Sequence, residues 1–297
     1  MIETMRYLKL KDRFSLRRFV RLLLFAFFIA WLVGISSATL IYTRSLLSPA
    51  CPPGETARPG YQSVTISIPA GVALKGWWHP SQNGAVVLLS GGLGGNRDNM
   101  LPEAELLSRH GFGSLMLEPR TCAGMPSSLG YLEVDELKAM SAFARAQPGV
   151  EQLAALGFSI GGSNVILGAA QMPEIRAVVA QGNMANLFQE LTSTPAGVLS
   201  PQWQIQRLVV LYYWEWIGVW PGDVSPISAL PTLRPRPVLL IQGELEAERT
   251  HAHEQLSAAG ENAQLWIVPG VGHGGYLQAL PGEYERRVIE FLNRSLF

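Results

Sequence analysis

The sequence predicts an α/β domain built on a mostly parallel sheet and preceded by one membrane-spanning helix. Three observations support this prediction. Short apolar runs that suit buried strands alternate with longer runs of helical periodicity. Glycine-containing loops follow several of the apolar runs, as loops at the carboxyl ends of parallel strands often do. A charge-free run rich in Leu, Phe, Ile and Ala begins at Leu22, ahead of all these elements.

The N-terminal segment has the length and charge pattern of a membrane anchor. Residues 22–43 are apolar apart from small polar interruptions, and crossing a bilayer takes about 20 residues. Residues 1–21 carry seven basic and two acidic residues, whereas Arg44 is the only basic residue between the apolar run and Arg58. The positive-inside rule therefore predicts a cytoplasmic N-terminus and an extracytoplasmic domain.

Two alternatives to a retained anchor remain at this point. A cleaved signal peptide would also export the domain, and small residues at 36–38 and 48–50 suit a cleavage site. Lipidation of Cys51 is the other alternative, although Pro49 fits poorly in such a site. The long apolar span and the bulky Trp31 favour a retained anchor.

Residues 44–60 form a predicted linker, rich in Pro and Gly from Pro49 onward, and the domain occupies 61–297. An antiparallel hairpin comes first, followed by alternating strands and helices. The predicted strands are 61–69, 71–79, 85–89, 113–117, 153–157, 175–180, 237–242 and 264–268. The predicted helices are 101–110, 132–146, 160–171, 252–259 and 283–296, which leaves an insertion at about 183–226.

The insertion is predicted to form a helical cap above the sheet. Its segment 209–220 is unusually aromatic, with three tryptophans and two tyrosines. We expect a cap helix that is buried against the sheet. A wall for an apolar acyl chain and a belt at the membrane interface are the functional alternatives.

The pattern Gly-x-Ser-x-Gly at 157–161 lies where an apolar strand changes to a helix-forming run. A serine on such a strained turn needs neighbours without a Cβ, so that its hydroxyl stands exposed above the sheet edge. The turn also aims the first N–H groups of the following helix at this hydroxyl. Ser159 is therefore the predicted nucleophile.

A base and an acid follow the serine in the chain. His273 lies in a glycine-rich loop after the last predicted strand, and histidine supplies a neutral base near pH 7. Glu246 lies three residues after Gly243, at the end of the preceding strand, and is the predicted acid that orients the imidazole. The alternative for Glu246 is a helix-start residue, since first turns favour acids.

Strand 85–89 runs into a glycine-rich loop, Ser-Gly-Gly-Leu-Gly-Gly, at 90–95. Together with Ser159, Glu246 and His273, this segment resembles the α/β-hydrolase superfamily, in particular its esterase/lipase-like branch. The resemblance implies an oxyanion hole made by the N–H groups of Leu93 and Ile160. Gly91 stands where that branch has a histidine, which puts the rigidity of the loop in question.

The resemblance implies a serine hydrolase that cleaves an ester or thioester through an acyl-enzyme and needs no metal or organic cofactor. The expected partners are a small ester or acyl substrate, which includes lipid-like molecules, and the bilayer. A peptidase or amidase of the same fold and an inactive membrane scaffold are the rival functions. Oligomeric state stays undetermined.

Charge and cysteine content exclude other classes. Residues 22–297 hold 16 Lys and Arg against 21 Asp and Glu, so no basic surface is expected to neutralise nucleic-acid phosphates. The two cysteines, Cys51 and Cys122, are too few for a cysteine metal site. An oxidising compartment would allow them to pair, although the sequence does not show that they are close.

Overall fold

A computed structural model describes residues 2–198 and 200–297, with side chains described from residue 16 onward. The strands are β1 (Gln62–Ser67), β2 (Ala73–His79), β3 (Ala85–Ser90), β4 (Gly113–Leu117), β5 (Gln152–Phe158), β6 (Ile175–Gln181), β7 (Val238–Gly243) and β8 (Ala263–Val268). The helices are α1 (Ile2–Leu47), α2 (Leu101–Arg109), α3 (Val134–Arg145), α4 (Ile160–Ala169), α5 (Leu187–Leu191), α6 (Pro201–Ile217), α7 (Pro226–Ala229), α8 (Ala252–Ala259), α9 (Tyr276–Ala279) and α10 (Pro281–Leu296).

The eight strands form one sheet in the order β1-β2-β4-β3-β5-β6-β7-β8. β2 pairs antiparallel with β1 and β4, and every other pair is parallel. The predicted hairpin and mostly parallel sheet are thus confirmed. Because β5, β7 and β8 are parallel, the loops after their carboxyl ends lie along the same edge of the sheet.

Two apolar cores cover the two faces of the sheet. In β3 all of Ala85–Leu89 are buried, and alternate residues belong to different cores. Val87 and Leu89 pack in the core with α2 and α10, whereas Val86 and Leu88 pack in the core with α3, α4 and α8. A strand covered on both faces is expected to be apolar throughout, which is why β3 shows no alternation in the sequence.

The N-terminal helix is longer than the predicted span of 22–43 at both ends. Its part from Leu16 to Leu47 is long and apolar enough to cross a membrane. The helix continues to Leu47, so the first four residues of the predicted linker, 44–47, are helical. Leu47 is buried in the domain with Tyr213 and Val224, and its carbonyl accepts a hydrogen bond from the Ser127 N–H at 2.7 Å.

The aromatic cap segment corrects one expectation. Its helix, α6, begins at Pro201, and it packs against α1 and α5 instead of lying buried on the sheet. The Trp31 indole N–H donates to the Gln204 side chain at 3.1 Å, which links the apolar span to the cap. Only Val209, Val210 and Tyr213 of α6 are buried. α1 therefore takes the place of the sheet as the main packing partner of α6.

Cys51 and Cys122 are joined by a disulfide. The bond ties the linker that follows α1 to the loop that follows β4. Disulfides persist in oxidising compartments. The pairing that the sequence left undecided therefore anchors the end of α1 covalently to the domain.

Candidate active site

Ser159 occupies a strained turn between β5 and α4. Its φ of 57° and ψ of −122° are unusual for a residue with a side chain. A Cβ on Gly157 would lie 2.1 Å from the Gly161 carbonyl oxygen, and a Cβ on Gly161 would lie 2.0 Å from the Ser90 carbonyl oxygen. Both positions therefore require glycine, as the motif predicted.

The structure brings the three predicted side chains together in one hydrogen-bonded chain. His273 Nε2 lies 2.9 Å from Ser159 Oγ, and His273 Nδ1 lies 2.7 Å from a carboxylate oxygen of Glu246. An ionised carboxylate only accepts hydrogen bonds, so Nδ1 carries the ring proton and Nε2 is free to accept the serine proton. This is the tautomer that a general base requires.

Glu246 is held as an anion although it is 4% exposed. Burial alone would raise the pKa of its carboxyl, but hydrogen bonds from His273, Tyr276 and the Gly243 amide hold that pKa below its ordinary value. The Tyr276 hydroxyl and the Gly243 N–H both donate to one oxygen, and His273 donates to the other. The carboxylate is therefore fixed in orientation as well as in charge.

Two glycines and Tyr276 contribute to this arrangement in ways that sequence reasoning missed. A Cβ on Gly182 would lie 2.7 Å from the Tyr276 hydroxyl and 3.1 Å from His273 Cε1. A Cβ on Gly243 would lie 2.1 Å from the Gly272 carbonyl oxygen, so this glycine lets the histidine loop approach β7. The available signals were a glycine at the carboxyl end of β6 and of β7 and a tyrosine three residues after His273.

The predicted oxyanion residues border the nucleophile. Leu93 and Ile160 line a cavity together with Ser159, and Ile160 is the first residue of α4, where backbone N–H groups have no helical partner. The loop that carries Leu93 is held by Asn96, which accepts a hydrogen bond from the Asp98 N–H, while the Asn99 side chain accepts one from the Asn96 N–H. This capping box orders the loop although Gly91 replaces the histidine.

Ser159 lies between two cavities of different character. The larger has a volume of about 410 Å³ and is lined by residues of α1, α5 and α6 together with Leu93 and Ile160, and its lining also includes polar side chains such as Glu190. The smaller, here called the polar cavity, has a volume of about 250 Å³ and is lined in part by His273, Glu190 and Arg249. A substrate that reacts at Ser159 thus has room on both sides of the reacting carbon.

A charged pair in the polar cavity was also missed from the sequence. Arg249 forms a salt bridge with Glu190 of the cap, and its other terminal nitrogen lies 3.5 Å from Glu246. Both charged side chains of the pair are more than a third exposed, so the bridge stabilises the cap only weakly. Residues 190 and 249 are far apart in the chain, and no local pattern pairs them.

The other histidines with partners in the structure are engaged away from Ser159. His79 hydrogen bonds with the Gly60 carbonyl and His110 with Glu285, and His251 Nδ1 lies 3.6 Å from a carboxylate oxygen of Glu254. Arg120, in the loop after β4, is buried and donates a hydrogen bond to Glu136 at 2.7 Å. Burial and the neighbouring Glu133 raise the pKa of Glu136 to about 7, against the opposing effect of Arg120.

Comparison with known proteins agrees with the fold described above. A family model described as alpha/beta hydrolase fold matches residues 84–215, which include β3, the glycine loop and the Ser159 turn. An uncharacterised protein of Escherichia coli O157:H7, YfhR, is 23% identical over 252 residues, which cover 79% of this chain and 81% of that protein.

Solved structures with the same fold include two hydrolases of different kinds. The Pyrococcus furiosus esterase Pf2001 superposes with a TM-score of 0.64 at 22% identity, covering 84% of this chain and 100% of that chain. An acylaminoacyl peptidase superposes with a TM-score of 0.59 at 17% identity, covering 80% of this chain and 41% of that chain. At such identities the likeness shows the fold alone.

Proposed function

We propose that this chain, whose fold is that of the α/β hydrolases, is a membrane-anchored serine hydrolase that cleaves carboxylic esters or thioesters. The observation that carries the proposal is the chain of hydrogen bonds from Ser159 Oγ through His273 to Glu246, with distances of 2.9 Å and 2.7 Å. Its members come from three separate loops, and a nucleophile, a base and an orienting acid in contact form the arrangement that acyl transfer requires.

In the proposed mechanism Ser159 Oγ attacks the acyl carbonyl while His273 Nε2 takes the hydroxyl proton. The N–H groups of Leu93 and Ile160 stabilise the oxyanion. As the tetrahedral intermediate collapses, His273 returns the proton to the leaving oxygen or sulfur, and an acyl-enzyme remains on Ser159. A water molecule then attacks the acyl-enzyme with His273 again as base. The bond between the acyl carbon and Ser159 Oγ breaks, His273 returns the proton to Oγ, and the carboxylic acid leaves. Glu246 stabilises the imidazolium in both steps.

A peptidase or amidase is the second candidate, and Glu190 is the observation that favours it. This carboxylate lines the polar cavity beside Ser159, where it has the charge to hold a peptide amino terminus. Its salt bridge with Arg249 already neutralises that charge, which supports an ester substrate instead. Comparing the cleavage of p-nitrophenyl esters with that of aminoacyl p-nitroanilides separates the two functions. Faster cleavage of the anilides would favour the peptidase or amidase over the esterase.

Labelling with a small fluorophosphonate tests the proposed activity directly. We expect the wild-type protein to react at Ser159 and Ser159→Ala to lose the label completely, because the probe forms a bond only with an activated serine. The matched control is Ser63→Ala on the exposed side of β1, which should label like the wild type. A folded wild-type protein that does not label would instead favour an inactive scaffold.

We also propose that α1 is a retained anchor with the domain on the extracytoplasmic side. The basic residues at 1–21 favour a cytoplasmic N-terminus. The Cys51–Cys122 disulfide supports an oxidising compartment for the domain. Cleavage after residue 50 would remove Leu47 from its buried place beside Tyr213. Cleavage after residue 38 would remove Trp31 and its hydrogen bond to Gln204 of the cap.

Expression with an N-terminal epitope tag tests this topology. We expect the tag to stay on the full-length protein in the membrane fraction after an alkaline wash, because the apolar span holds it there. Without reductant, a thiol-reactive polyethylene glycol should not alter the mass of the protein, whereas Cys122→Ala should gain one adduct at Cys51. Loss of the tag from the mature protein, or two reactive thiols in the wild type, would contradict the proposal.

A further inference from the structure

The larger of the two cavities beside Ser159, here called the acyl cavity, extends from Ser159 to the anchor helix. Tyr42 and Leu46 of α1 line it together with Ile205 and Val209 of α6. Leu187 and Leu191 of α5 complete its apolar side, and polar side chains, among them Glu190 and Gln206, line the rest. Its volume of about 410 Å³ lies in the range of small-molecule sites, about 300–1,000 Å³. A helix that holds the protein in the membrane thus also forms a wall of the cavity at the nucleophile.

The position of His273 decides which part of an ester each cavity holds. In the proposed mechanism the imidazole must reach the leaving group to protonate it, and His273 lines the polar cavity but not the acyl cavity. Leu93, one of the two oxyanion residues, lines the acyl cavity but not the polar one. The alcohol or thiol therefore leaves on the polar side, and the acyl chain lies on the apolar side.

We propose that the acyl cavity binds a long acyl chain and that Leu46 and Tyr42 of the anchor helix determine the chain length. The inference rests on the proposed serine hydrolase activity and names its substrate class, an ester with a long apolar acyl chain and a polar leaving group. Each methylene that enters the cavity is transferred out of water, so affinity for the reacting ester rises with the length of its acyl chain until the cavity is full. The anchor is then part of the substrate site.

Chain-length profiles of the full-length protein in detergent micelles test the proposal. We expect the wild type to have a higher kcat/KM for p-nitrophenyl decanoate than for p-nitrophenyl acetate. Leu46→Trp fills the cavity and should lower the decanoate-to-acetate ratio at least tenfold, since several methylenes lose their place. Leu46→Ala enlarges the cavity and should move the optimum to longer chains.

The matched control is Ile41→Trp, a substitution on the same helix at a side chain that is 67% exposed and does not line the cavity. Its ratio should stay within about twofold of the wild type. Each variant is also labelled with a small fluorophosphonate, which reports whether Ser159 is reactive. A wild type that labels but prefers acetate, or a Leu46→Trp variant that labels and keeps the wild-type ratio, would overturn the inference. A wild type that neither labels nor cleaves any ester removes the proposed activity itself.

Discussion

Replacing His273 with alanine is expected to lower kcat for ester hydrolysis by about 10⁶-fold, which is the loss of kcat typical of a catalytic triad without its base. His273 Nε2 lies 2.9 Å from Ser159 Oγ, and removal of the ring leaves the hydroxyl without an acceptor for its proton. Replacing Glu246 with alanine should cost less, about 10⁴-fold, because it orients the base and stabilises its cation without touching the substrate. Steady-state kinetics on a p-nitrophenyl ester measures both effects.

A double variant decides whether these residues act as one unit. Ser159→Ala combined with His273→Ala should be no slower than either single variant, since each alone already removes acyl-enzyme formation. His253→Ala, which changes an exposed histidine on α8, is the control and should keep the wild-type rate. A His273→Ala variant with a rate near that of the wild type would show that another group serves as the base.

The parts of the fold that could be predicted are those with local signals. β3 and β7 are continuous apolar runs because helices cover both of their faces. The turn at Ser159 could be predicted because steric crowding leaves glycine as the residue that fits at 157 and 161, and these glycines form a recognisable pattern in the sequence. Because the base and the acid were expected after the serine in the chain, the candidates were those in the loops after β8 and β7. The structure places His273 and Glu246 in these two loops.

The parts that could not be predicted depend on contacts between distant segments. An apolar helix has the same sequence pattern whether or not another helix packs against it, so the local sequence did not predict the packing of α6 on α1. The pairs Glu190–Arg249 and Tyr276–Glu246 likewise join residues that no spacing rule connects. The same limit applied to the cysteines, whose pairing became evident only with the fold.

Replacing Gly161 with alanine is expected to destabilise the domain by at least about 3 kcal/mol, which for a domain of this size lowers Tm by about 6–12 °C. The added Cβ would lie 2.0 Å from the Ser90 carbonyl oxygen and 2.6 Å from that of Gly91. Both are backbone atoms at the end of β3, so relief requires α4 to move away from the sheet. That movement would also displace Ile160 and the Leu93 loop, and fluorophosphonate labelling should fall with stability.

The control for this prediction is Gly282→Ala in α10, where a new Cβ meets no atom within 4 Å. Alanine is the better helix former by about 1 kcal/mol, so Tm should stay constant or rise slightly. Thermal unfolding followed by circular dichroism in detergent compares the two variants. If both variants unfolded at the same temperature, the close approach of α4 to β3 would not be a steric requirement, and the strained conformation of Ser159 would need another explanation.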